Sequence, residues 1–95
     1  MINVYIVRFH ESAEKEWFGL DKGVRDRFLK VLERRLVEPR VPSAELSADL
    51  KGLYKIKLQK SGHRLVYEVL DDVLIVLVVA VGKHDIYRTA AERVD

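Results

Sequence analysis

Three cations, Lys55, Lys57 and Arg64, are spaced so that one folded segment could bring them to a single phosphate group. RNA can be cleaved without a metal when a base removes the proton of a ribose 2′-hydroxyl, the oxygen attacks the adjacent phosphorus, and an acid protonates the leaving 5′-oxygen. Negative charge accumulates on the phosphoryl oxygens during this reaction, so preorganised cations lower its barrier. These residue types therefore suit chemistry on a phosphodiester.

Each of the side chains suits a different step of that reaction. Closely packed ammonium groups lower one another's affinity for protons, so Lys55 or Lys57 could act as a base. Arg64 has a planar guanidinium that binds phosphate and keeps its proton. Glu68 is a fourth group in the same segment, and it could accept a proton or only hold a lysine by charge. The non-functional alternatives are a solvated strand face for the lysines and a surface salt bridge between Arg64 and Glu68.

The segment from residue 54 to residue 67 predicts a β-hairpin with one apolar and one cationic face. Apolar side chains alternate with Lys55 and Lys57 at a period of two, which is the pattern of a half-buried strand. Gly62 supplies the positive φ that a tight turn requires. A two-residue loop places Lys57 opposite Val66, and a four-residue loop keeps the same faces. The predicted apolar face consists of Tyr54, Ile56, Leu58, Leu65, Tyr67 and Val69.

The rest of the chain predicts the elements that would hold this hairpin. Gly19 and Gly23 are expected to lie in a join between two helices, and Pro39 ends the second helix, whose apolar residues recur at helical spacing. In chain order, the predicted elements are a strand over 3–9, a helix from His10 or Ser12 to Trp17, a helix over 21–38, and strands over 53–59, 63–70 and 73–81.

This order predicts an α+β fold. One N-terminal strand and two helices precede a three-stranded antiparallel meander, and both helices pack on one face of a four-stranded twisted sheet. The last strand is apolar at every position, so it should be central and covered on both faces. Residues 83–95 form a polar tail. The turn at Asp71-Asp72 places three apolar side chains beside the cations on a face that should stay open, namely Ile75, Leu77 and Val79.

Composition narrows the class of protein. The 95 residues, 48% of them hydrophobic, suit one domain over residues 1–95. The absence of cysteine excludes disulfides and favours a reducing compartment. The sequence has no apolar run of 18 residues and no signal-peptide pattern. We therefore expect a soluble, cytoplasmic protein with no membrane contact. The three histidines lack metal-ligand spacing, and no cofactor is expected.

The hairpin resembles that of the RelE family of bacterial toxins. The resemblance lies in the run Tyr-Lys-Ile-Lys-Leu from residue 54, followed by Ser-Gly-x-Arg-Leu-Val-Tyr from residue 61. It extends over nearly the whole chain, because the segments around residues 14–17, 38–40 and 81–83 and the order of elements also agree.

The resemblance implies a RelE-like fold and the toxin of a type II toxin–antitoxin system. Such a toxin is a metal-independent endoribonuclease that cleaves mRNA in the ribosomal A site by 2′-hydroxyl attack and so inhibits translation. The implied partners are the ribosome with its 16S rRNA, the mRNA, and a RelB-like antitoxin through which the complex binds operator DNA.

The same resemblance assigns roles to residues. Lys55 and Lys57 match the lysines that abstract and relay the proton, and Arg64 matches the arginine that stabilises the transition state. Tyr87 matches, after a shorter intervening segment, a tyrosine that stacks on or orients the substrate. Members of the family often carry an arginine as the leaving-group acid, directly after the Gly-Lys that ends the last strand.

His84 occupies that position here. Histidine is a more ordinary general acid near neutral pH than arginine, so the substitution is compatible with the same step. Lys83 and Arg88 flank His84, and with Lys60 in the hairpin turn they are expected to bind RNA.

Two other functions fit a fold of this kind. ParE toxins have a similar architecture but poison DNA gyrase without this catalytic set, and the presence of Lys55, Lys57 and Arg64 argues against that function. An RNA-binding domain without cleavage is the third hypothesis. The basic residues of the longer helix suit either a solvated face or contact with ribosomal RNA.

Overall fold

The computed structural model describes residues 4–94. The order of one strand, two helices and three strands is confirmed, although the predicted start of the first strand at Asn3 lies outside the described residues. No helix in the described range is both long and apolar enough to span a bilayer. The elements are β1 (Ile6–Phe9), α1 (Glu11–Phe18), α2 (Lys22–Val37), β2 (Leu53–Lys57), β3 (Arg64–Leu70), β4 (Ile75–Gly82) and α3 (Ile86–Arg93), with single 3₁₀ turns at Pro42–Ala44 and Ala48–Leu50.

The four strands form one mixed sheet in the order β1-β4-β3-β2. The meander β2-β3-β4 is antiparallel as predicted, and β1 pairs in parallel with β4. The apolar strand β4 is therefore central, which agrees with its sequence. Helices α1 and α2 lie together on one face of this sheet and carry the chain from β1 to the far edge strand β2.

The core on the helical face is rich in aromatic side chains. Trp17 lies between Phe9 and Phe28, with ring centroids 5.4 and 6.1 Å away, and Tyr54 stacks on Tyr67 at 5.6 Å. All six side chains predicted for the apolar face of the hairpin belong to this core. The alternation of the strands thus determines which side chains α1 and α2 cover.

Local hydrogen bonds explain where the helices begin. The Nδ1 atom of His10 accepts a hydrogen bond from the Ser12 amide at 3.1 Å, so His10 rather than Ser12 caps α1. Gly19 ends this helix. The prediction that Gly23 lies in the join is wrong, because it belongs to the first turn of α2. The first amides of a helix have no intrahelical acceptor, so glycine costs less there than in the interior.

The prediction that the cationic face of the sheet stays open is also wrong, because the polar tail contains helix α3. This helix packs on the sheet face that the sequence left open, and it covers Leu53, Val66, Val79 and Ala80. Ile75 and Leu77 lie on that face as predicted and are half-buried. The buried side chains of α3 are Ile86 and Ala90, which lie four residues apart on one face of the helix.

Two irregularities set the register of β4. The turn before it spans Asp71 to Leu74, so Leu70 lies opposite Ile75 rather than Val73, which leaves the predicted faces unchanged. A β-bulge follows, because Val66 pairs with Ala80 whereas Tyr67 pairs with Val78. Consequently the neighbours Val79 and Ala80 both lie in the cluster beneath α3.

Candidate active site on the cationic face

The hairpin loop has four residues, so the two-residue alternative is wrong. The Leu58 amide donates to the His63 carbonyl at 2.9 Å, and the Gly62 amide donates back to the Leu58 carbonyl at 2.9 Å. Gly62 has φ of +76°, which closes this single turn as the sequence predicted. The resulting register places Lys57 opposite Arg64 and Lys55 opposite Val66.

This register brings the three predicted cations together. Because Leu58 and His63 form a hydrogen-bonded pair, Lys57 and Arg64 form the adjacent non-hydrogen-bonded pair, in which Cα atoms are only about 4.5 Å apart. Lys55 lies two residues along the same strand face, about 7 Å away. Long flexible side chains at these separations can converge on one phosphate group.

A backbone carbonyl orients the arginine of this cluster. The Nη1 atom of Arg64 donates to the carbonyl of Lys83 at 3.0 Å. Gly82, the last residue of β4, lies opposite Arg64, so Lys83 and His84 leave the sheet beside the guanidinium. Both side chains are exposed, and Asp85 turns the chain into α3 with φ of +55°. Lys83 and His84 are therefore held near the cation cluster by the strand that precedes them.

Glu68 is on the predicted face but outside the cluster. It lies opposite Leu53 and four residues from Arg64, a distance of about 13 Å along an extended strand. The fully buried Val66 lies between them. The salt bridge between Arg64 and Glu68 is absent from the ion pairs of the described residues, which are Lys22–Asp26, Arg40–Asp71 and Arg93–Glu16.

Tyr87 and Arg88 lie on the first turn of α3 and not in the lysine–arginine cluster. With Ala91 they line one wall of an open cavity of about 330 Å³, whose other wall is the segment 47–50. Ala48 in that wall has φ of +56°, a conformation that non-glycine residues rarely adopt. Tyr87 is half-buried and Arg88 is exposed. Lys60 is exposed in the hairpin loop, at the end of the sheet that carries Arg64.

His63 belongs to the helical side of the hairpin. Its ring contacts the Ser61 hydroxyl at 2.9 Å. Burial lowers the pKa of His63, and the positive charges of Lys83 and Arg27 lower it further. A neutral imidazole at this turn adds no charge to the adjacent cationic face.

Arg35 is a residue of the site region whose contact the sequence did not predict. Its Nη1 atom donates to the Lys55 carbonyl at 3.2 Å and to the Tyr67 hydroxyl at 2.9 Å. The Tyr67 hydroxyl donates in turn to the Pro39 carbonyl at 2.7 Å. Burial raises the pKa of Tyr67, which favours the protonated hydroxyl that this bond requires, although Arg35 opposes the shift.

A signal for Arg35 was present in the helical spacing. It follows the buried residues Phe28 and Leu32 by seven and three positions, so it lies on the stripe that faces the sheet rather than on the solvated side. The contact anchors the backbone of the strand that carries Lys55.

Comparison with known proteins gives the family. A family model described as the ParE toxin of the type II toxin–antitoxin system parDE matches residues 7–86. The chain belongs to this toxin family. The mRNA interferase toxin RelE of Escherichia coli K12 is 40% identical over 93 residues, which cover 95% of this chain and 97% of that protein.

Solved structures of the Escherichia coli toxin share the fold. A free form of RelE with two arginines replaced by alanine has a TM-score of 0.87 and 39% identity, covering 97% of this chain and 99% of that one. RelE in the intact RelBE toxin–antitoxin complex has a TM-score of 0.81 and 42% identity, covering 85% of this chain and 98% of that one. The predicted RelE-like fold is confirmed.

Proposed function

We propose that this chain is the toxin of a type II toxin–antitoxin system and a metal-independent endoribonuclease that cuts mRNA in the ribosomal A site, which stops translation. The observation that carries the proposal is the direct opposition of Lys57 and Arg64 on a rigid strand pair, with Lys55 on the same face. The 40% identity to an mRNA interferase along nearly the whole chain supports it.

The proposed reaction uses side chains of this cluster in sequence. Lys55 and Lys57 accept and relay the proton of the 2′-hydroxyl, and the 2′-oxygen attacks phosphorus. Arg64, oriented by the Lys83 carbonyl, stabilises the charge on the phosphoryl oxygens. His84 protonates the 5′-oxygen as its bond to phosphorus breaks. The products are a 2′,3′-cyclic phosphate and a 5′-hydroxyl.

Substrate contacts extend from the cluster to α3. Lys60, Lys83 and Arg88 are exposed cations that neutralise phosphates flanking the scissile bond. Tyr87 presents an aromatic ring at the cavity between α3 and residues 47–50, where an unpaired base can stack. Glu68 has no part in this scheme because of its distance from Arg64.

A RelB-like antitoxin is the proposed partner, and the complex would bind operator DNA through that antitoxin. Apolar side chains are exposed at the start of β1 and in the turn before β4: Val4, Ile6 and Val73 are 54%, 51% and 58% exposed. Apolar surface of this kind suits a segment of another protein. RelE of Escherichia coli is held in such a complex with RelB. The site of action would be the ribosome, and hence the cytoplasm.

Primer extension on a translated mRNA tests the proposal. We expect cuts within codons at the A site with the unaltered protein. Lys57→Ala should lower cleavage by about 10²- to 10³-fold through loss of proton transfer, and Arg64→Ala by a similar factor through loss of a donor that stabilises transition-state charge. Lys15→Ala is the matched control, because Lys15 is an exposed lysine on α1. Equal cleavage by all variants would refute the assigned site.

The same assay separates the competing functions. A ParE-like gyrase inhibitor would cause DNA damage while translation continues and messages stay whole. An RNA-binding domain would bind RNA with a steep salt dependence and leave it uncut.

A further inference from the structure

The end of strand β4 has a buried edge that β1 does not pair. Strand β1 stops at Phe9, which pairs with Val78, so the following residues of β4 have no β1 partner in the described chain. Their backbone polar groups need other partners, because an unpaired buried donor or acceptor is costly.

Glu16 of α1 and Arg93 of α3 supply those partners. The carboxylate of Glu16 accepts from the Val81 amide at 3.2 Å, and the guanidinium of Arg93 donates to the Val79 carbonyl at 2.8 Å. The two side chains also bind each other in parallel, with Nη1–Oε1 and Nη2–Oε2 distances of 2.9 Å each. This bidentate ion pair, which we call the edge clamp, joins elements from opposite faces of the sheet.

Helix α3 has few other anchors. It is eight residues long, which is below the length at which isolated helices are stable in water. Its buried side chains are Ile86 and Ala90, Tyr87 and Val94 pack only partly buried against the same cluster, and Asp85 makes no side-chain cap hydrogen bond. The edge clamp fixes the C-terminal turn, where Arg93 is only 17% exposed. The docked position of α3 therefore depends strongly on Arg93.

We propose that Arg93 is a positioning residue for the active site. It acts through α3, because docking of this helix fixes Tyr87 on its first turn and the end of the segment 83–85 that carries His84. The expected effect of Arg93 on catalysis rests on the proposed function. The expected effect of Arg93 on the position of α3 rests only on the contacts described above. A cation that served only to attract RNA would not need a bidentate pair with Glu16 and a hydrogen bond to the Val79 carbonyl.

Two variants of Arg93 separate these roles. Arg93→Lys keeps the charge but cannot form the bidentate pair and the carbonyl bond together, so it should behave like Arg93→Ala. We expect both to lower amide hydrogen-exchange protection in α3 and kcat for mRNA cleavage by about tenfold, because hydrogen bonds to charged groups have effects of this order. KM for the ribosome should change little, because the cation cluster is intact. Glu92→Gln, an exposed neighbour on the same helix, is the control.

Exchanging the charges adds a second test. Glu16→Arg with Arg93→Glu restores opposite charges but presents a cation to the Val81 amide and a carboxylate to the Val79 carbonyl. We therefore expect no rescue of protection or kcat. Unchanged α3 protection and kcat in Arg93→Lys would overturn the proposal, and full rescue by this charge exchange would overturn the part assigned to the contacts with the Val79 carbonyl and the Val81 amide. If the unaltered protein cleaves no mRNA, the proposed function fails. The hydrogen-exchange protection of α3 in the Arg93 variants still decides whether Arg93 holds this helix.

Discussion

The two faces of the sheet are built in different ways. On the face covered by α1 and α2, large aromatic side chains interlock, and Phe28 is fully buried. On the face covered by α3, the helix contributes Ile86 and Ala90 to an aliphatic cluster with no fully buried aromatic side chain among the described residues. The cations lie beyond the end of that cluster, with Lys57 exposed.

This difference separates stability from chemistry. Burial of aromatic area supplies most of the free energy that keeps the sheet folded, so the helical face can hold the strands rigid. The opposite face then needs little packing of its own and can leave charged groups in reach of a substrate. Regions with few buried contacts open more readily than the core, so we expect α3 to be the less stable layer.

Phe28→Ala should give the largest effect, because it removes a fully buried ring from the helical face. We expect the free energy of unfolding to fall by about 3–5 kcal/mol, measured by urea denaturation. Leu29→Ala, at a neighbouring site that is 44% exposed, should change it by less than about 1 kcal/mol. Equal costs for the two variants would contradict the assignment of stability to this face.

His84→Ala should affect chemistry and not folding, because the side chain is exposed. We expect mRNA cleavage in a reconstituted ribosome assay to fall by about 10²-fold, as for loss of a general acid, with an unchanged melting temperature. His63→Asn, in the hairpin turn, should retain cleavage because it lies on the helical side. Normal cleavage by His84→Ala would remove this residue from the mechanism.

Tyr67→Phe tests the polar link between the helical layer and β2. The hydroxyl donates to the Pro39 carbonyl and accepts from Arg35, so its loss leaves both groups with fewer partners. We expect a decrease of about 1–3 kcal/mol in the free energy of unfolding. Tyr54→Phe is the matched control, because its hydroxyl makes a longer contact of 3.4 Å with Arg40. A larger decrease in the free energy of unfolding for Tyr54→Phe would show that the hydrogen bonds of Tyr67 with Arg35 and Pro39 do not join the helical layer to the sheet.

Acid should produce the smallest effect and should act first on α3. Burial raises the pKa of Glu16, but hydrogen bonds from Arg93 and from the Val81 amide outweigh it and hold the pKa below its usual value. The stabilisation is therefore present above the unfolded-state pKa and is lost as pH falls through the lower folded-state value. Hydrogen exchange measured from pH 6 downward should show α3 losing protection before the helical core does. Loss of hydrogen-exchange protection at the same pH in α3 and in the helical core would argue against a lower stability of α3.

The sequence was sufficient to predict which side chains share each face of the hairpin. It was also sufficient to predict the order of the first strand, the two helices and the three following strands. Strand side chains alternate with a period of two, so the faces are independent of whether the loop has two or four residues. The period of two did not determine the register between β2 and β3, because that register depends on the turn formed by Leu58, Gly62 and His63. The direct opposition of Lys57 and Arg64 is therefore a structural result.

Other features depend on contacts between residues distant in sequence. Helix α3 is only eight residues long, and it docks onto a face of the sheet where a β-bulge places the neighbours Val79 and Ala80 together. The pair Glu16–Arg93 joins residues 77 positions apart. Arg35 is a charged residue on a buried stripe, so a rule that assigns charge to solvent misplaces it.

The opposition of Lys57 and Arg64 has a consequence for the empty protein. Like charges directly across a strand pair repel each other, so the free hairpin carries an internal electrostatic penalty. We expect a bound phosphodiester, which carries one negative charge, to reduce that penalty, because any ligand that binds the folded state preferentially raises its stability. The melting temperature of the folded chain should therefore increase with polyanion concentration.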